Sequence, residues 1–312
     1  MLISLIVPCF NEEESLPILH KELCAVTETM QGYAFEFLFI DDGSKDQTRN
    51  GLMALSEQDT RVKYISFSRN FGKEAAMYAG FCNAKGDYVA VIDADMQDPP
   101  SLLPEMVKIL ESGEYDSVAT RREDRTGEPV IRSFFARMFY RIMNKISDTD
   151  IVDGARDFRL MTRDMVNAII RMSEYNRFSK GIFGWIGFRT YWMSYKNVER
   201  VAGQTSWSFW KLFKYSMDGF INHSQFPLSI SSWGGILCTL ISFIMVIFIV
   251  VRKLMFGDPV AGWASLVCIV LFIGGIQLFC IGIMGQYLAK LYLEVKNRPH
   301  YIVAKSNKDD VV

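Results

Sequence analysis

The chain has 312 residues, with 34 Lys and Arg against 35 Asp and Glu and a formal net charge of −1. That length suits one large domain or two unequal ones, and the balanced charge gives no reason to expect nucleic acid as a partner. Hydrophobic residues reach 50% and charged ones 22%; this excludes a disordered or collagen-like chain, and the apolar excess after residue 230 points to a membrane.

In chain order, Leu2–Val7 is an apolar run with no basic stretch before it and with Glu12, Glu13 and Glu14 close behind. It reads as a first β-strand rather than a secretory signal. Further strands are predicted at Phe35–Ile40, Val62–Phe67, Tyr88–Ile92 and Ser117–Thr120. Helices are predicted near Glu13–Met30, Asp46–Glu57, Lys73–Ala84 and Leu102–Glu111. Such alternation predicts a Rossmann-like, mostly parallel sheet covered on both faces, with ligands at the carboxyl ends of its strands. The six cysteines are scattered, with no C-x-x-C pair and no His cluster beside them, which suits reduced buried thiols rather than disulfides or zinc.

The polar motifs fall at those strand ends. Pro8-Cys9-Phe10-Asn11-Glu12 follows the first strand, Asp41-Asp42-Gly43-Ser44-Lys45-Asp46 the second, and Asp93-Ala94-Asp95-Met96-Gln97-Asp98 the fourth. Any one cluster could be a turn and helix cap. Three carboxylate loops at one crevice would repel each other unless a cation compensates, and a hard divalent ion bridging to a diphosphate is the natural choice. No G-x-G-x-x-G follows the first strand and no P-loop or G-x-S-x-G is present, which removes the main support for dehydrogenase, P-loop NTPase and α/β-hydrolase readings.

The last third carries two charge-free runs, Gly234 to Val251 and Ala261 to Gly285, joined by a short break holding Gly257, Asp258 and Pro259. Each is long enough to cross roughly 30 Å of hydrocarbon, so a two-span hairpin is predicted. Lys and Arg lie before the first run and in the tail, which favours cytoplasmic termini. Two aromatic, basic segments, 130–146 and 205–222, have the composition of interfacial amphipathic helices; ordinary packing on the sheet is the alternative for the first. The expected layout is a cytoplasmic catalytic domain over 1–228, a transmembrane hairpin over 229–290 and a cytoplasmic tail over 291–312. The charged run Arg121–Pro129 reads equally as an acceptor loop or a solvated linker.

Taken together, PCFNEEE at 8–14, DDGSKD at 41–46, SRNFGKEAA at 68–76, DADMQDPP at 93–100, GARDFRLM at 154–161 and the 203–220 region resemble family-2 inverting glycosyltransferases of GT-A fold. The chain is most similar in pattern to the polyprenyl-phosphate glycosyltransferases: dolichyl-phosphate mannose synthases and bactoprenol glucosyltransferases with a membrane hairpin. The resemblance implies transfer of one hexose from a nucleotide sugar, UDP-glucose first and UDP-N-acetylglucosamine or GDP-mannose behind it, to a polyprenyl phosphate such as undecaprenyl phosphate. It implies a plasma (inner) membrane location, a role in cell-envelope or O-antigen glycans, and assembly as a homo-oligomer such as a tetramer.

By the same resemblance, Pro8, Asn11 and Glu12 border the nucleotide pocket, Asp41 contacts base or ribose, and Asp93 sits near ribose and sugar. Asp95 and Gln97 ligate Mg²⁺ or Mn²⁺; Asp157 stands near the acceptor, where it is often suggested as base; Arg132 and Arg200 hold the acceptor phosphate. Gln204-Thr205-Ser206-Trp207 departs from the Gly-Glu-Ser-Lys type of run common in relatives and lacks its lysine. A lipid monophosphate has a second pKa near 6 and is a competent nucleophile without a strong base, so Asp157 is expected to act chiefly in positioning, or by keeping Arg159 or another cation in place. A non-catalytic nucleotide-sugar-binding scaffold, and transfer to a diacylglycerol hydroxyl, are the competing readings.

Overall fold

The computed structural model describes residues 1–122, 152, 154–195, 226–256, 262–309 and 311. They divide into two compact units: Met1–Phe209 with Arg298–Val312, and Trp210–Asn297.

The first unit is built on an eight-stranded sheet. Its strands are β1 (Leu2–Cys9), β2 (Ala34–Asp41), β3 (Val62–Phe67), β4 (Tyr88–Val91), β5 (Ser117–Arg122), β6 (Ala155–Thr162), β7 (Thr190–Tyr195) and β8 (Val303–Ser306), in the order β7-β5-β6-β4-β1-β2-β3-β8. The predicted strands and helices of residues 1–120 all form. The sheet is nevertheless mixed: β6 runs antiparallel to β4 and β5, and β8 antiparallel to β3. Both reversed strands lie beyond the stretch whose alternation predicts parallel pairing.

Near-continuous apolar runs such as LISLIVPC and AFEFLFID are what a strand buried on both faces requires. Because successive side chains alternate between faces, Leu5, Val7, Phe37 and Phe39 pack under α1 (Leu16–Glu28), α2 (Thr48–Gln58) and α4 (Leu103–Glu111). Ile6, Leu38, Ile40 and Ile65 pack on the other face under α3 (Lys73–Asn83), α5 (Arg163–Arg171) and α6 (Ser179–Trp185). Fully burying each large apolar side chain contributes roughly 1.5–3 kcal/mol.

The segment expected as a tail is part of this core. Tyr301 stacks on Phe67 with ring centroids 4.9 Å apart, and Asn307 accepts from the Tyr64 N–H at 2.8 Å and donates to the Val62 carbonyl at 3.1 Å. Lys308 Nζ reaches Glu36 Oε1 at 2.5 Å, and Ser4 Oγ donates to Glu36 Oε2 at 2.6 Å. Burial alone would raise the Glu36 pKa, but those donors hold it below its ordinary value.

Among the described residues, the second unit has two long helices, α7 (Phe226–Phe256) and α8 (Trp263–Val295). Cys280 Sγ of α8 lies 3.8 Å from the Ser231 carbonyl of α7. Large apolar side chains stand exposed on both, with Phe243 65% and Leu278 72% accessible. Among the described residues, Phe272–Val295 is long and apolar enough to cross a membrane, and Trp233–Met245 is a shorter apolar stretch.

Candidate active site

Strand order fixes where a site can form. β2 and β3 follow β1 on one side and β4 lies on the other, so the chain reverses its direction of growth between β1 and β4. Loops leaving the carboxyl ends there splay apart and open a crevice. The loops after β1, β2 and β4 are the three acidic motifs.

The first two are knitted together. Asn11 N–H donates to Ser44 Oγ at 2.9 Å, Asn11 Oδ1 accepts from Lys45 N–H at 2.9 Å, and Glu12 N–H donates to Thr48 Oγ1 at 2.8 Å. Asn11 has φ 56° and Met96, between the predicted metal ligands, φ 60°. Such left-handed non-glycine backbone is uncommon and concentrates at functional loops. Gly43 (φ +68°) is required outright, since a Cβ there would lie 2.3 Å from the Arg69 carbonyl carbon. The buried Cys9 thiol has its pKa pushed well up, first by burial and then by Glu12, Asp41, Asp93 and Asp46.

Asp41, expected at the base or ribose, is fully buried. Its Oδ1 accepts from Ser44 N–H at 2.8 Å, and its Oδ2 is engaged by the Ser66 hydroxyl and by Arg49 Nε at 3.4 Å. Asp46 Oδ1 accepts from Thr48 N–H at 3.0 Å in the turn before α2, but the residue at the helix cap is Gln47, which makes no side-chain capping bond. Pro8, near the end of β1, and Glu12, in the loop after it, are partly buried, and Asn11 is exposed on that loop.

Across the crevice, Asp93 and Asp157 meet. β4 and β6 pair with Val91 opposite Arg159, and the register continued by two residues sets Asp93 opposite Asp157. Because β6 is antiparallel, its amino end lies at the same edge as the carboxyl end of β4. Lys73 Nζ bridges the two carboxylates, 2.6 Å from Asp93 Oδ1 and 2.5 Å from Asp157 Oδ2. Lys180 Nζ lies 4.0 Å from Asp157 Oδ1. Burial by itself would raise the Asp157 pKa, but Lys73 and Lys180 hold it well below the usual carboxylate range. Desolvation opposes the Lys73 charge, and Asp93 and Asp157 outweigh it, so the ammonium titrates above its ordinary value.

Lys73 opens α3, and Asp42 places it there by accepting from the Phe71 N–H at 2.6 Å and the Gly72 N–H at 2.9 Å. Gly72 has φ +101°, a conformation that favours glycine. The cation beside Asp157 is therefore lysine, not Arg159. The Arg159 guanidinium is buried 4.3 Å from the Phe183 ring centroid and 5.4 Å from that of Trp192.

Asp95 and Gln97 share one turn, where Gln97 N–H donates to Asp95 Oδ1 at 3.2 Å. Both are half-buried oxygen donors, a set that fits a hard divalent ion whose other positions are filled by phosphate and water. Arg156 Nη2 donates to Gln97 Oε1 at 3.0 Å, and its Nε to Asp98 Oδ1 at 3.1 Å. Ligation by Gln97 thus requires its oxygen to share or release Arg156. Lys73, Asp42 and Arg156 are the site residues that sequence reasoning did not single out; the run 68–76 that contains Lys73 was the available signal. Arg132, Arg200, the two aromatic basic segments and most of Arg121–Pro129 lie outside the described residues.

The described cysteines Cys9, Cys24, Cys82, Cys238 and Cys280 are unpaired. Cys24 Sγ does lie 3.6 Å from His20 Nε2, which is 3.0 Å from Asp59 Oδ2. Arg61 Nη2 closes this group at 2.8 Å from Asp59 and 3.1 Å from Cys24, a polar staple between α1 and the turn before β3.

A protein-family model, Glycosyl transferase family 2, matches residues 4–170. This chain belongs to glycosyl transferase family 2. The match takes in all three acidic loops, Lys73 and Asp157. The bactoprenol glucosyl transferase of Shigella phage SfII is 42% identical over 308 residues, 99% of each chain. The prophage bactoprenol glucosyl transferase homolog of Escherichia coli is 41% identical over 99% of this chain and 100% of its own. Among solved structures, glucosyl-3-phosphoglycerate synthase of Mycobacterium tuberculosis, in complex with Mn²⁺, UDP and phosphoglyceric acid, overlays with TM-score 0.46 and 17% identity, covering 69% of this chain and 75% of that one. That likeness is too distant to bear on the site.

Proposed function

We propose that this family-2 glycosyltransferase moves a single glucose from UDP-glucose to a polyprenyl phosphate, with inversion, at the cytoplasmic face of the plasma membrane. The observation that carries the reading is the extent of the likeness to bactoprenol glucosyl transferases, which spans 99% of both chains and so includes the apolar third as well as the catalytic loops. Homo-oligomeric assembly belongs to the same reading.

The second unit supports a membrane anchor. Its exposed Phe, Leu and Ile would form an apolar surface unusual for a water-soluble protein. Residues on both sides of it, up to Tyr195 and from Val303, belong to one sheet. The intervening segment therefore leaves and returns on the same side, which requires an even number of crossings. With Phe272–Val295 as one crossing, α7, which carries the shorter apolar stretch Trp233–Met245, would be the other.

The crevice supports phosphate chemistry. A divalent ion, Mg²⁺ or Mn²⁺, held by Asp95 and Gln97 would stabilise the charge that develops on a leaving diphosphate. Asn11, Glu12 and the DDG turn form the wall on which a nucleotide would rest. Asp157 carries two ammonium groups beside it, so it can orient cations towards an incoming phosphate. Its lowered pKa makes it a weak proton acceptor, and a phosphate dianion needs none.

Two measurements test this. Purified protein with vesicles containing polyprenyl phosphate should form labelled glycolipid from UDP-glucose in preference to UDP-N-acetylglucosamine and GDP-mannose; binding without any product would favour the scaffold. Asp157→Asn should lower turnover by about 10- to 100-fold. A fall of about 10⁴-fold with nucleotide-sugar binding intact would instead make Asp157 an obligatory base.

A further inference from the structure

Lys73 stands where the two halves of the crevice join. Asp93 leaves β4 on the turn that continues to Asp95 and Gln97. Asp157 belongs to β6, on the opposite wall, with Lys180 of α6 beside it. The two carboxylates face each other across the end of the β4–β6 ladder, where like charges directly opposite are destabilising. One ammonium, at 2.6 and 2.5 Å, neutralises that repulsion and fixes their separation. It does so from a defined place: α3 begins at Lys73, and Asp42 pins the two preceding N–H groups. Glu74 fixes the next residue by accepting from Ser179 N–H at 3.0 Å, which ties α3 to the start of α6 and to Lys180. Lys73 is 41% exposed at its side chain, so it lies open to the crevice rather than in the core.

We propose that Lys73 is the positioning residue for the transfer step, setting the donor-side Asp93 and the acceptor-side Asp157 at the spacing that aligns the two substrates. This rests on the glycosyl-transfer reading above. Its role is geometric: it needs a cation long enough to touch both carboxylates at once. Lys180 cannot replace it, being 4.0 Å from Asp157 and directed to the Ala155 carbonyl at 2.9 Å. Loss of the bridge lets the donor loop and β6 drift by a fraction of an ångström or more, and a misplacement of about 1 Å can cost about 10²-fold in rate.

The test compares wild type, Lys73→Met, Lys73→Arg and Lys180→Met in polyprenyl-phosphate vesicles, following both glucosyl transfer to lipid and hydrolysis of UDP-glucose to free glucose. Lys73→Met should lower kcat for transfer about 10²-fold, with KM for UDP-glucose changed less than about threefold. Hydrolysis should fall much less, so the ratio of transfer to hydrolysis drops. Lys73→Arg should recover about tenfold of the loss, and Lys180→Met should cost less than Lys73→Met. A protein merely unfolded by the change would lose transfer, hydrolysis and UDP-glucose binding together, and that result would overturn the proposal. So would Lys73→Met transferring as well as wild type, or both rates falling in parallel with binding intact. If wild type itself transfers nothing to polyprenyl phosphate, the function proposed above fails instead.

Discussion

Asp95→Ala should reduce glycosyl transfer by about 10³-fold, the size of effect seen when a group that stabilises transition-state charge is removed. The substitution deletes the one formally charged oxygen donor on the 95–97 turn and leaves the Gln97 amide, whose oxygen is already hydrogen-bonded to Arg156 at 3.0 Å. A single neutral ligand shared with a guanidinium holds a divalent ion poorly. Binding of UDP-glucose in the presence of Mg²⁺ or Mn²⁺ should weaken and lose its dependence on the metal, as titration calorimetry with and without chelator would report. Activity that survives Asp95→Ala within about tenfold, with unchanged metal dependence, would remove Asp95 from the metal site.

The largest effect on stability is expected at the tail. Lys308→Met should destabilise the first unit by about 3 kcal/mol, because it leaves Glu36 charged and buried without its counter-ion. Side chains of both partners are almost enclosed, at 5% and 11% accessible, so solvent screens the pair little. The double substitution Glu36→Leu with Lys308→Met should regain much of the loss, since the expense lies in the orphaned charge rather than in the missing bond. The pH dependence follows in sign. In wild type the Glu36 pKa is held below its unfolded value, so its contribution is present above about pH 4.3 and is lost as pH falls through the folded value. In Lys308→Met burial dominates, Glu36 protonates more readily, and the gap in denaturant midpoint between the two proteins should narrow in acid. A gap that is constant from pH 7 to pH 4 would mean the pair contributes nothing.

How far the fold was legible depended on whether a segment's pattern was local. Leu2–Val7 and Phe35–Ile40 announce themselves because strands buried on both faces are apolar throughout. β6 was not read as a strand because Arg156, Asp157 and Arg159 interrupt ARDFRLMT, charges that are there because the strand end forms part of the crevice. β7, TYWMSY, is a short segment that was not read as a strand either. β8 has four residues, two of them Lys305 and Ser306, too few and too polar to stand out; it is a strand because β3 offers it an open edge. The acidic loops were visible from composition, and the ordered motifs pointed to the family. What the sequence could not display was the pairing of Val91 with Arg159, which brings residues 73, 93 and 157 to one point. Asp157 was therefore assigned a cation without the means to say which.

The antiparallel closure of β3 by β8 also bears on how the protein is made. During synthesis β3 emerges early, and its outer edge keeps its hydrogen-bonding groups unpaired until residues 303–306 have been added, after both long helices. An open strand edge of this kind invites pairing with other chains, and contacts between distant parts of a sequence are slow to form. The sheet thus completes its last strand only once the whole apolar segment has been translated, so the β3 edge stays open to wrong partners for as long as that takes.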